Sequence, residues 1–290
     1  MAPDLSRTVF GHNFQNPVLL AAGTAGFGRE VAGVIDLERL GGLVTKAVSP
    51  EPRPGNRAPR VAEFGFGMLN SVGLANPGLA RVGQEQLPWL AANLQRARVL
   101  VNVVGFVEDD FAEVVAELDR FECITAYEIN LSCPNTHAGG IEFGSDPRTV
   151  ARVLELCRAR TRRALVAKLS PALPDIAAMA LIARDAGAAG VTVVNTLPGL
   201  LTDAGGEPLL GNGHGGVSGP ALLPIGVLAV RRIMERSGGM PVIGVGGIRS
   251  AADARQYLRA GAALVAIGTA ALADPHIPER VVRDLEAAGA

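Results

Sequence analysis

The sequence predicts an α/β fold, specifically a TIM (β/α)8 barrel, and three observations favour it. Eight short runs rich in Val, Ile, Leu and Ala alternate with helical stretches through the 290 residues. The runs are almost continuously apolar rather than alternating, which is typical of parallel strands covered on both faces. No linker, repeat or charge run marks a boundary. We therefore expect residues 1–290 to form a single barrel domain.

The predicted strands and helices follow one another as βα units. Strands are expected at 18–22, 43–46, 99–103, 126–130, 165–168, 191–195, 242–244 and 264–267. Helices are expected at 31–40, 78–94, 109–121, 147–160, 175–186, 222–236, 251–260 and 278–288. Ser250 supplies an N-cap signal, and Gly187 and Gly261 stand where helices should end.

Three connections at the carboxyl ends of predicted strands are candidates for the active site, because barrel active sites are built on that face. They span residues 47–76, 131–144 and 196–221. The first and third are too long for ordinary βα loops. The opening segment TVFGHNFQNP is instead predicted to form a small hairpin that plugs the other end of the barrel.

Composition and charge argue against several classes of protein. The net charge is −1 without a basic block, so no nucleic-acid surface is expected. No apolar run approaches the roughly 18 residues of a membrane span, and the opening MAPDLSRTVF lacks a signal-peptide pattern. A cytoplasmic protein without membrane association is therefore predicted. The three cysteines and four histidines show no metal-ligand spacing, so no metal is expected.

Polar side chains stand at the ends of the predicted strands. Of 27 basic residues only two are lysines, and both Lys46 and Lys168 end apolar runs. Asn102, Asn130 and Asn195 lie at the ends of three other strands. Amide and ammonium groups together can bind a flat heterocycle that has carbonyl and N–H groups. Neither a carboxylate pair nor a Ser-His-Asp arrangement indicates hydrolysis.

Glycine-rich turns, GVGGIRS and AIGTA, follow the last two predicted strands. Backbone N–H groups and the positive end of a helix can hold a phosphate at such turns. Ser218 and Gly219, on the connection after the sixth strand, are expected to add a contact. A phosphate site beside a cavity for a polar ring indicates a phosphorylated cofactor such as FMN.

Cys133 differs from the other two cysteines by its position. It lies on a loop in INLSCPNTHAGGIEFG, whereas Cys157 lies in a predicted helix and Cys123 precedes a strand. A thiolate on such a loop can act as a nucleophile or a general base. A free cysteine titrates near pH 8.5, so a reaction that depends on its thiolate should accelerate as the pH rises toward about that value.

Together these motifs resemble the dihydroorotate dehydrogenase family, class 1, in which a catalytic cysteine stands in a motif similar to NLSCPN. The resemblance covers nearly the full chain through NPVLLAAGTAGFG, VTKAVSPEPRPGNRAPRVAEFGFGMLNSVGLANPG, VVNT, GGVSGP, GVGGI and AIGTA. Class 2 members have a serine at the base position and an N-terminal membrane segment, and this chain shows neither. The GGIEFG segment and the first motif are more similar to the NAD-linked class 1B than to the fumarate-linked class 1A.

The resemblance implies oxidation of (S)-dihydroorotate to orotate in pyrimidine biosynthesis. Cys133 would take the C5 proton as general base while the hydride leaves C6 for N5 of FMN, with Lys168 beside the N1 and C2 carbonyl of the flavin. The residues implied for FMN are Ala22, Lys46, Ala47, Asn102, Asn130, Lys168, Val194, Gly219, Gly246, Gly247, Gly268 and Thr269. Those implied for the pyrimidine and its carboxylate are Lys46, Asn70, Ser71, Val72, Gly73, Leu74, Asn130, Asn135, Asn195 and Thr196.

The class 1B resemblance also implies a heterotetramer, in which a homodimer of this chain binds a second subunit carrying FAD and a [2Fe-2S] cluster. That subunit would pass electrons from FMN to NAD. Three dispersed cysteines cannot ligate such a cluster in this chain, and no dinucleotide-binding GxGxxG motif follows a predicted strand.

Other hypotheses stay open from the residues alone. The chain is also similar to dihydropyrimidine dehydrogenase, although Lys46 and the 70–74 segment favour an anionic pyrimidine. A fumarate-linked class 1A enzyme is a second alternative. A non-redox barrel that forms a Schiff base at Lys168, and a catalytically silent FMN-binding scaffold, are the remaining two.

Overall fold

The computed structural model describes residues 4–65, 67–131, 134–135 and 141–288. Within these residues eight parallel strands close a barrel, which confirms the predicted TIM barrel. Each strand pairs with the next one along the chain, and the last pairs with the first. The strands are β1 (Val18–Leu20), β2 (Gly42–Val44), β3 (Arg98–Val103), β4 (Ile124–Asn130), β5 (Ala164–Leu169), β6 (Gly190–Val193), β7 (Val242–Val245) and β8 (Leu264–Ile267).

Helices connect most of these strands, and those at Pro147–Arg158, Ile176–Asp185 and Ala251–Ala260 begin at side-chain caps. Asp146 accepts the Thr149 N–H at 2.9 Å, and Ser250 accepts the Asp253 N–H at 3.3 Å. Gly261, with φ of +109°, ends a helix as predicted. The helices are Leu79–Arg81, Leu87–Asn93, Glu108–Leu118, Pro147–Arg158, Ile176–Asp185, Leu223–Ser237, Ala251–Ala260, Thr269–Ala273 and Ile277–Ala288.

The interior of the barrel is apolar at its amino-terminal end. Leu100, Val166 and Ile243 belong to one buried cluster that fills the space inside the strands. Val9 and Phe14 join the same cluster from the opening hairpin, whose strands are Arg7–Val9 and His12–Phe14. The predicted plug is therefore confirmed. The larger cluster fills the layer between the strands and the helices.

The helix predicted at 31–40 is wrong. The segment forms turns and one 3-10 helix, Leu37–Arg39. The Asp36 carboxylate accepts the Glu38 N–H at 3.0 Å, so its side chain caps a new turn where the predicted helix should have continued. Gly33 further weakens a helix at this point, because glycine carries the largest backbone entropy cost.

The helix predicted at 78–94 is interrupted. A π-helical turn, Val82–Gln86, separates Leu79–Arg81 from Leu87–Asn93. Pro88 has no N–H to donate to the carbonyl four residues earlier, which removes one regular helical hydrogen bond at the junction. Strand-to-helix order is unchanged by the interruption.

The two longest connections contain strands that the sequence pattern did not reveal. Val61–Phe64 and Gly67–Asn70 come from the connection after β2, and Leu197–Gly199 and Gly215–Ser218 from the one after β6. They pair into a four-stranded antiparallel sheet, here called the mouth sheet, at the carboxyl end of the barrel. In the connection after β4, Pro134–Asn135 pairs with Ile141–Glu142.

Candidate active site

The interior of the barrel becomes polar toward the carboxyl ends of β3 to β6. Side chains alternate along a strand, so Asn102, Glu128 and Lys168 point inward two residues beyond the apolar Leu100, Ala126 and Val166. Asn102 and Glu128 are 1% exposed and Lys168 is 7% exposed. We call the four residues Asn102, Glu128, Lys168 and Thr192 the polar floor of the barrel mouth.

Glu128 joins the members of the polar floor. Its Oε1 accepts Asn102 Nδ2 at 2.7 Å and lies 3.5 Å from Lys168 Nζ, while its Oε2 accepts Thr192 Oγ1 at 2.8 Å. A buried carboxylate needs such partners because burying an unpaired charge is costly. Sequence reasoning missed Glu128, although a single charged residue inside an apolar strand, two positions before Asn130, was an available signal.

The amide oxygen of Asn102 is a buried acceptor. Because Nδ2 donates to Glu128, the Oδ1 atom points away from the carboxylate, and it finds no hydrogen-bond donor within the described part of the chain. A buried acceptor without a donor costs about 1–3 kcal/mol. A ring N–H of a bound heterocycle would satisfy it, so the polar floor fits the flat ring that the sequence predicts.

Thr45 connects the polar floor to Lys46. Its Oγ1 accepts the Asn102 N–H at 3.2 Å and donates to the Lys46 carbonyl at 2.9 Å. The Lys46 N–H donates to the Gly26 carbonyl at 2.7 Å. Ala47 and Val194, also predicted to contact the ring, are buried, and Ala22 packs against the interior cluster.

The asparagines at the ends of β4 and after β6 are brought together as predicted. Asn195 Nδ2 donates to Asn130 Oδ1 at 3.3 Å, and the Asn195 Oδ1 accepts the Thr196 N–H at 2.9 Å. A Cβ on Gly216 would lie 2.0 Å from Thr196 Oγ1, so Thr196 packs directly against the mouth sheet. These residues form one continuous polar edge.

The predicted substrate segment, residues 70–74, leaves the mouth sheet at Asn70. Asn70 Nδ2 donates to the Gly216 carbonyl at 3.1 Å, across the pair of neighbouring strands. Asn56 then holds the segment, because its Nδ2 donates to Ser71 Oγ at 2.8 Å and its N–H donates to the Val72 carbonyl at 3.1 Å. Asn56 was not among the predicted residues.

The shape of this segment depends on Gly73. Gly73 has φ of +74°, and a Cβ there would lie 2.5 Å from the Asn56 nitrogen. Leu74 follows with φ of +55°, a conformation that side chains rarely adopt. Asn76 secures the end of the segment, since its Nδ2 donates to the Leu74 carbonyl at 2.9 Å.

The predicted phosphate residues meet at one corner of the mouth. A Cβ on Gly247 would lie 3.1 Å from the Gly219 carbonyl and 2.7 Å from the Leu223 nitrogen. Thr269 Oγ1 donates to Ser218 Oγ at 2.8 Å. The set that we call the glycine corner is Ser218, Gly219, Gly246, Gly247, Gly268 and Thr269. The backbone at Gly247 lies so close to that of Gly219 and Leu223 that a side chain would not fit there. Exposed backbone amides at such a turn can bind an anion.

Cys133 lies outside the described residues, and Asn135 is described only through its backbone, in the short strand Pro134–Asn135. The cysteines in the described part of the chain are poor candidates for thiolate chemistry. Burial raises the pKa of Cys157 to about 12, and burial also raises the pKa of Cys123. A thiol with a raised pKa stays protonated near neutral pH.

Two further findings concern the described residues as a whole. Their side chains form no group of three or more His, Cys, Asp or Glu that could hold a metal ion. None of their helices combines the length and the apolar character needed to cross a bilayer.

Comparison with known proteins identifies the sequences to which the chain is similar. Residues 4–288 match the family model of dihydroorotate dehydrogenase. The chain is 40% identical to the dihydroorotate dehydrogenase B (NAD(+)) catalytic subunit of Pelobacter propionicus, over 99% of this chain and 93% of the relative. It is 44% identical to the protein of that name from Desulforudis audaxviator, over 96% of this chain and 90% of the relative.

A solved structure supports the fold. The crystal structure of a DHODH from Eimeria tenella in complex with ferulenol superposes with a TM-score of 0.80. The two chains are 24% identical, and the match covers 98% of this chain and 84% of the other.

The family model and the two relatives confirm the family predicted from the sequence motifs. The chain belongs to the dihydroorotate dehydrogenase family of oxidoreductases.

Proposed function

We propose that this chain oxidises (S)-dihydroorotate to orotate in pyrimidine biosynthesis, with FMN held in the barrel mouth. The observation that carries the proposal is the polar floor, where Lys168 lies beside Glu128 and the buried Asn102 oxygen finds no donor among the residues that the structure describes. Membership of the family supports the reaction. One barrel domain, residues 1–290, would carry the whole site.

The chain offers separate places for the two ends of FMN. When bound, FMN would supply the acceptor for the hydride of the substrate. The flavin ring would be held by Ala22, Lys46, Ala47, Asn102, Asn130, Lys168 and Val194. The phosphate would be held by Gly219, Gly246, Gly247, Gly268 and Thr269. The polar floor and the glycine corner have the chemistry that each end requires, hydrogen-bonding groups for a heterocycle and open backbone for an anion.

Lys168 would supply positive charge at a fixed position. Its ammonium is buried and lies 3.5 Å from Glu128, so it does not move freely in water. Charge that is already in place where negative charge develops is a large catalytic contribution, because no reorganisation is needed during the reaction. Glu128 acts through Lys168 and Asn102, and we assign it a positioning role.

The substrate would be bound by the polar edge and the segment that leaves the mouth sheet. The residues proposed for the pyrimidine and its carboxylate are Lys46, Asn70, Ser71, Val72, Gly73, Leu74, Asn130, Asn135, Asn195 and Thr196. Cys133 would accept the C5 proton as general base while the hydride leaves C6. The Asn195 to Asn130 contact and the Asn56 contacts to residues 71 and 72 support the part of this assignment that concerns substrate binding.

We further propose that electrons leave through a partner subunit. The relatives from Pelobacter propionicus and Desulforudis audaxviator are named catalytic subunits of a B (NAD(+)) enzyme. By analogy, a homodimer of this chain would bind a second subunit that carries FAD and a [2Fe-2S] cluster and reduces NAD. A cytoplasmic location is part of the same proposal.

The test is the visible spectrum of the purified chain before and after anaerobic addition of dihydroorotate. We expect a yellow protein that bleaches while orotate forms. Dihydrouracil is the matched control, because it lacks the carboxylate, and it should leave the flavin oxidised. Bleaching by dihydrouracil alone would favour a dihydropyrimidine dehydrogenase-like enzyme. A protein that binds no flavin after incubation with FMN would contradict the proposal.

A further inference from the structure

Tyr257 holds the turn that begins the glycine corner. It lies on the helix Ala251–Ala260 and is fully buried. Its hydroxyl contacts two consecutive carbonyls, Val245 O at 3.1 Å and Gly246 O at 2.8 Å. Val245 is the last residue of β7, and Gly246 is the first residue of the turn. The phenol therefore ties the end of the strand to the start of the turn.

Two glycines make room for this side chain. A Cβ on Gly226 would lie 2.0 Å from the Tyr257 hydroxyl oxygen, and a Cβ on Gly244 would lie 2.3 Å from Tyr257 Cδ1. Gly226 stands inside the helix Leu223–Ser237, where glycine costs about 1 kcal/mol relative to alanine. The helix, the strand and the tyrosine are thus fitted to one another around the hydroxyl.

The hydroxyl contributes to the direction of two amide groups, and at the first of them the Val245 carbonyl also accepts the Val194 N–H at 2.9 Å. In a trans peptide the C=O and the N–H point in opposite directions. Since Tyr257 contacts the carbonyls of Val245 and Gly246, the N–H groups of Gly246 and Gly247 point away from it. Gly246 has φ of +123° and Gly247 has φ of +74°. Consecutive amides at such glycines make a concave site for an anion.

The phenol is a constant donor. Burial raises the pKa of Tyr257 well above its usual range, and the nearby Asp253 carboxylate raises it further. The hydroxyl consequently keeps its proton at any pH at which the protein works. The turn has no side chains of its own at Gly246 and Gly247, so its shape depends on neighbours such as this hydroxyl.

We propose that Tyr257 is a positioning residue for the phosphate of FMN, acting through the amides of Gly246 and Gly247. The inference rests on the proposed function, because it takes FMN as the ligand. It concerns the phosphate alone. Tyr257 reaches the glycine corner at the Gly246 carbonyl, and it belongs neither to the polar floor nor to the residues proposed for the flavin ring.

The test compares two flavins and two tyrosines. FMN carries the phosphate and riboflavin does not, so their dissociation constants, measured by quenching of flavin fluorescence, separate the two ends of the ligand. For Tyr257→Phe we expect FMN binding to weaken about tenfold while riboflavin binding is unchanged. The 31P resonance of bound FMN should also shift relative to that of the wild-type complex.

Tyr127→Phe is the matched control. Tyr127 is also fully buried, and its hydroxyl contacts Val115 O at 3.5 Å and Asp119 Oδ1 at 3.3 Å, near the amino-terminal end of the barrel. Removing this hydroxyl should leave both the affinity ratio of the two flavins and the 31P resonance unchanged.

A second variant covers the case in which Tyr257→Phe does not fold. Gly226→Ala keeps the hydroxyl but displaces it, and it should produce the same selective loss of FMN. An equal weakening for both flavins, or no weakening for either, would overturn the role of Tyr257. A wild-type protein that binds neither flavin would instead contradict the proposed function, so the two failures are distinguishable.

Discussion

The two ends of the barrel carry different kinds of polar network. At the amino-terminal end, Arg163 Nε donates to Asp119 Oδ1 at 3.2 Å and Arg163 Nη2 donates to the Asp119 carbonyl at 3.1 Å. Thr161 Oγ1 donates to the same carboxylate, and Arg158 Nη2 donates to the Arg163 carbonyl at 2.7 Å. This network uses protein partners throughout. At the carboxyl end, by contrast, the buried Asn102 oxygen of the polar floor finds no donor among the described residues.

This difference shows that the barrel stabilises its fold mainly at one end and keeps the groups proposed for ligand binding at the other. A network that closes on protein atoms, beside a hairpin that fills the interior with Phe14, contributes to folding without any ligand. A network that keeps an acceptor open costs free energy until a ligand supplies the donor. Matched substitutions at the two ends should therefore have different consequences, and three pairs of residues allow the comparison.

The largest effect is expected for the two cysteines that flank β4. Cys133→Ala should slow flavin reduction by dihydroorotate about 10²–10⁴-fold, because it removes the proposed general base. Cys123→Ala, just before the strand, should leave the rate unchanged. Stopped-flow absorbance of the flavin measures both. The wild-type rate should rise with pH until the thiolate of Cys133 is fully formed, and similar rates for the two variants would exclude Cys133 as the base.

A smaller effect is expected for the two cations on β5 and just before it. Lys168→Met should reduce the rate of flavin reduction about a hundredfold, because the fixed charge is lost. The substitution also leaves Glu128 buried without its cation. Arg163→Met removes the cation paired with Asp119 and should lower only the thermal midpoint. Rates are measured per bound flavin. Equal rates in Lys168→Met and the wild type would contradict the role given to Lys168.

Asn102 and Thr161 test ligand-linked stability. FMN at 100 times its dissociation constant should raise the free energy of unfolding by about 2.7 kcal/mol. Asn102→Ala should weaken FMN binding about tenfold and reduce this gain. Thr161→Val should lower stability by the same amount with and without FMN. Urea unfolding at fixed FMN concentration measures both, and an undiminished gain in Asn102→Ala would show that its oxygen does not contact the flavin.

The smallest effect concerns pH at the amino-terminal end. Burial lowers the pKa of His12, and the nearby Arg98 and Arg163 lower it further. As the pH falls, His12 therefore takes up its proton first in the unfolded chain. The free energy that neutral His12 contributes to the folded state is fully present above about pH 6.5, and it is lost as the pH falls through the lowered pKa. In His12→Gln the loss of stability on going from pH 7.5 to 5.5 should be smaller than in the wild type.

Urea unfolding at the two pH values measures that difference, with flavin reduction as the control. The rate per bound flavin should be the same in His12→Gln and the wild type, because His12 lies in the hairpin at the opposite end from the mouth. An identical acid dependence of stability in the two proteins would show that His12 carries no such linkage.

The features that could be predicted from the sequence are those that depend on the local pattern of apolar and polar residues. The eight strands followed from apolar runs, and the strand-end polar residues followed from their position after those runs. The helix expected at 31–40 failed because Asp36 caps a new turn there. A lone charge in an apolar strand singles out Glu128, but its partners Asn102 and Lys168 lie on neighbouring strands and follow only from the barrel geometry.

Other features depend on contacts between distant parts of the chain. The role of Tyr257 is visible only beside Gly226 and Gly244, which lie on other elements. The mouth sheet joins two connections that looked like loops, since their strands are short and half-exposed. Asn56 could be linked to residues 71 and 72 only once the backbone between them was known.

The mouth sheet also sets an order of events during synthesis. Asn70 and its strand partner Gly216 are separated by 146 positions, so this pairing is among the late ones to form. A chain that has emerged only as far as β5 already contains Lys46, Asn102 and Lys168, but the strand against which segment 70–74 is placed has not yet been made. The pocket proposed for the pyrimidine is thus completed only after most of the polypeptide has left the ribosome.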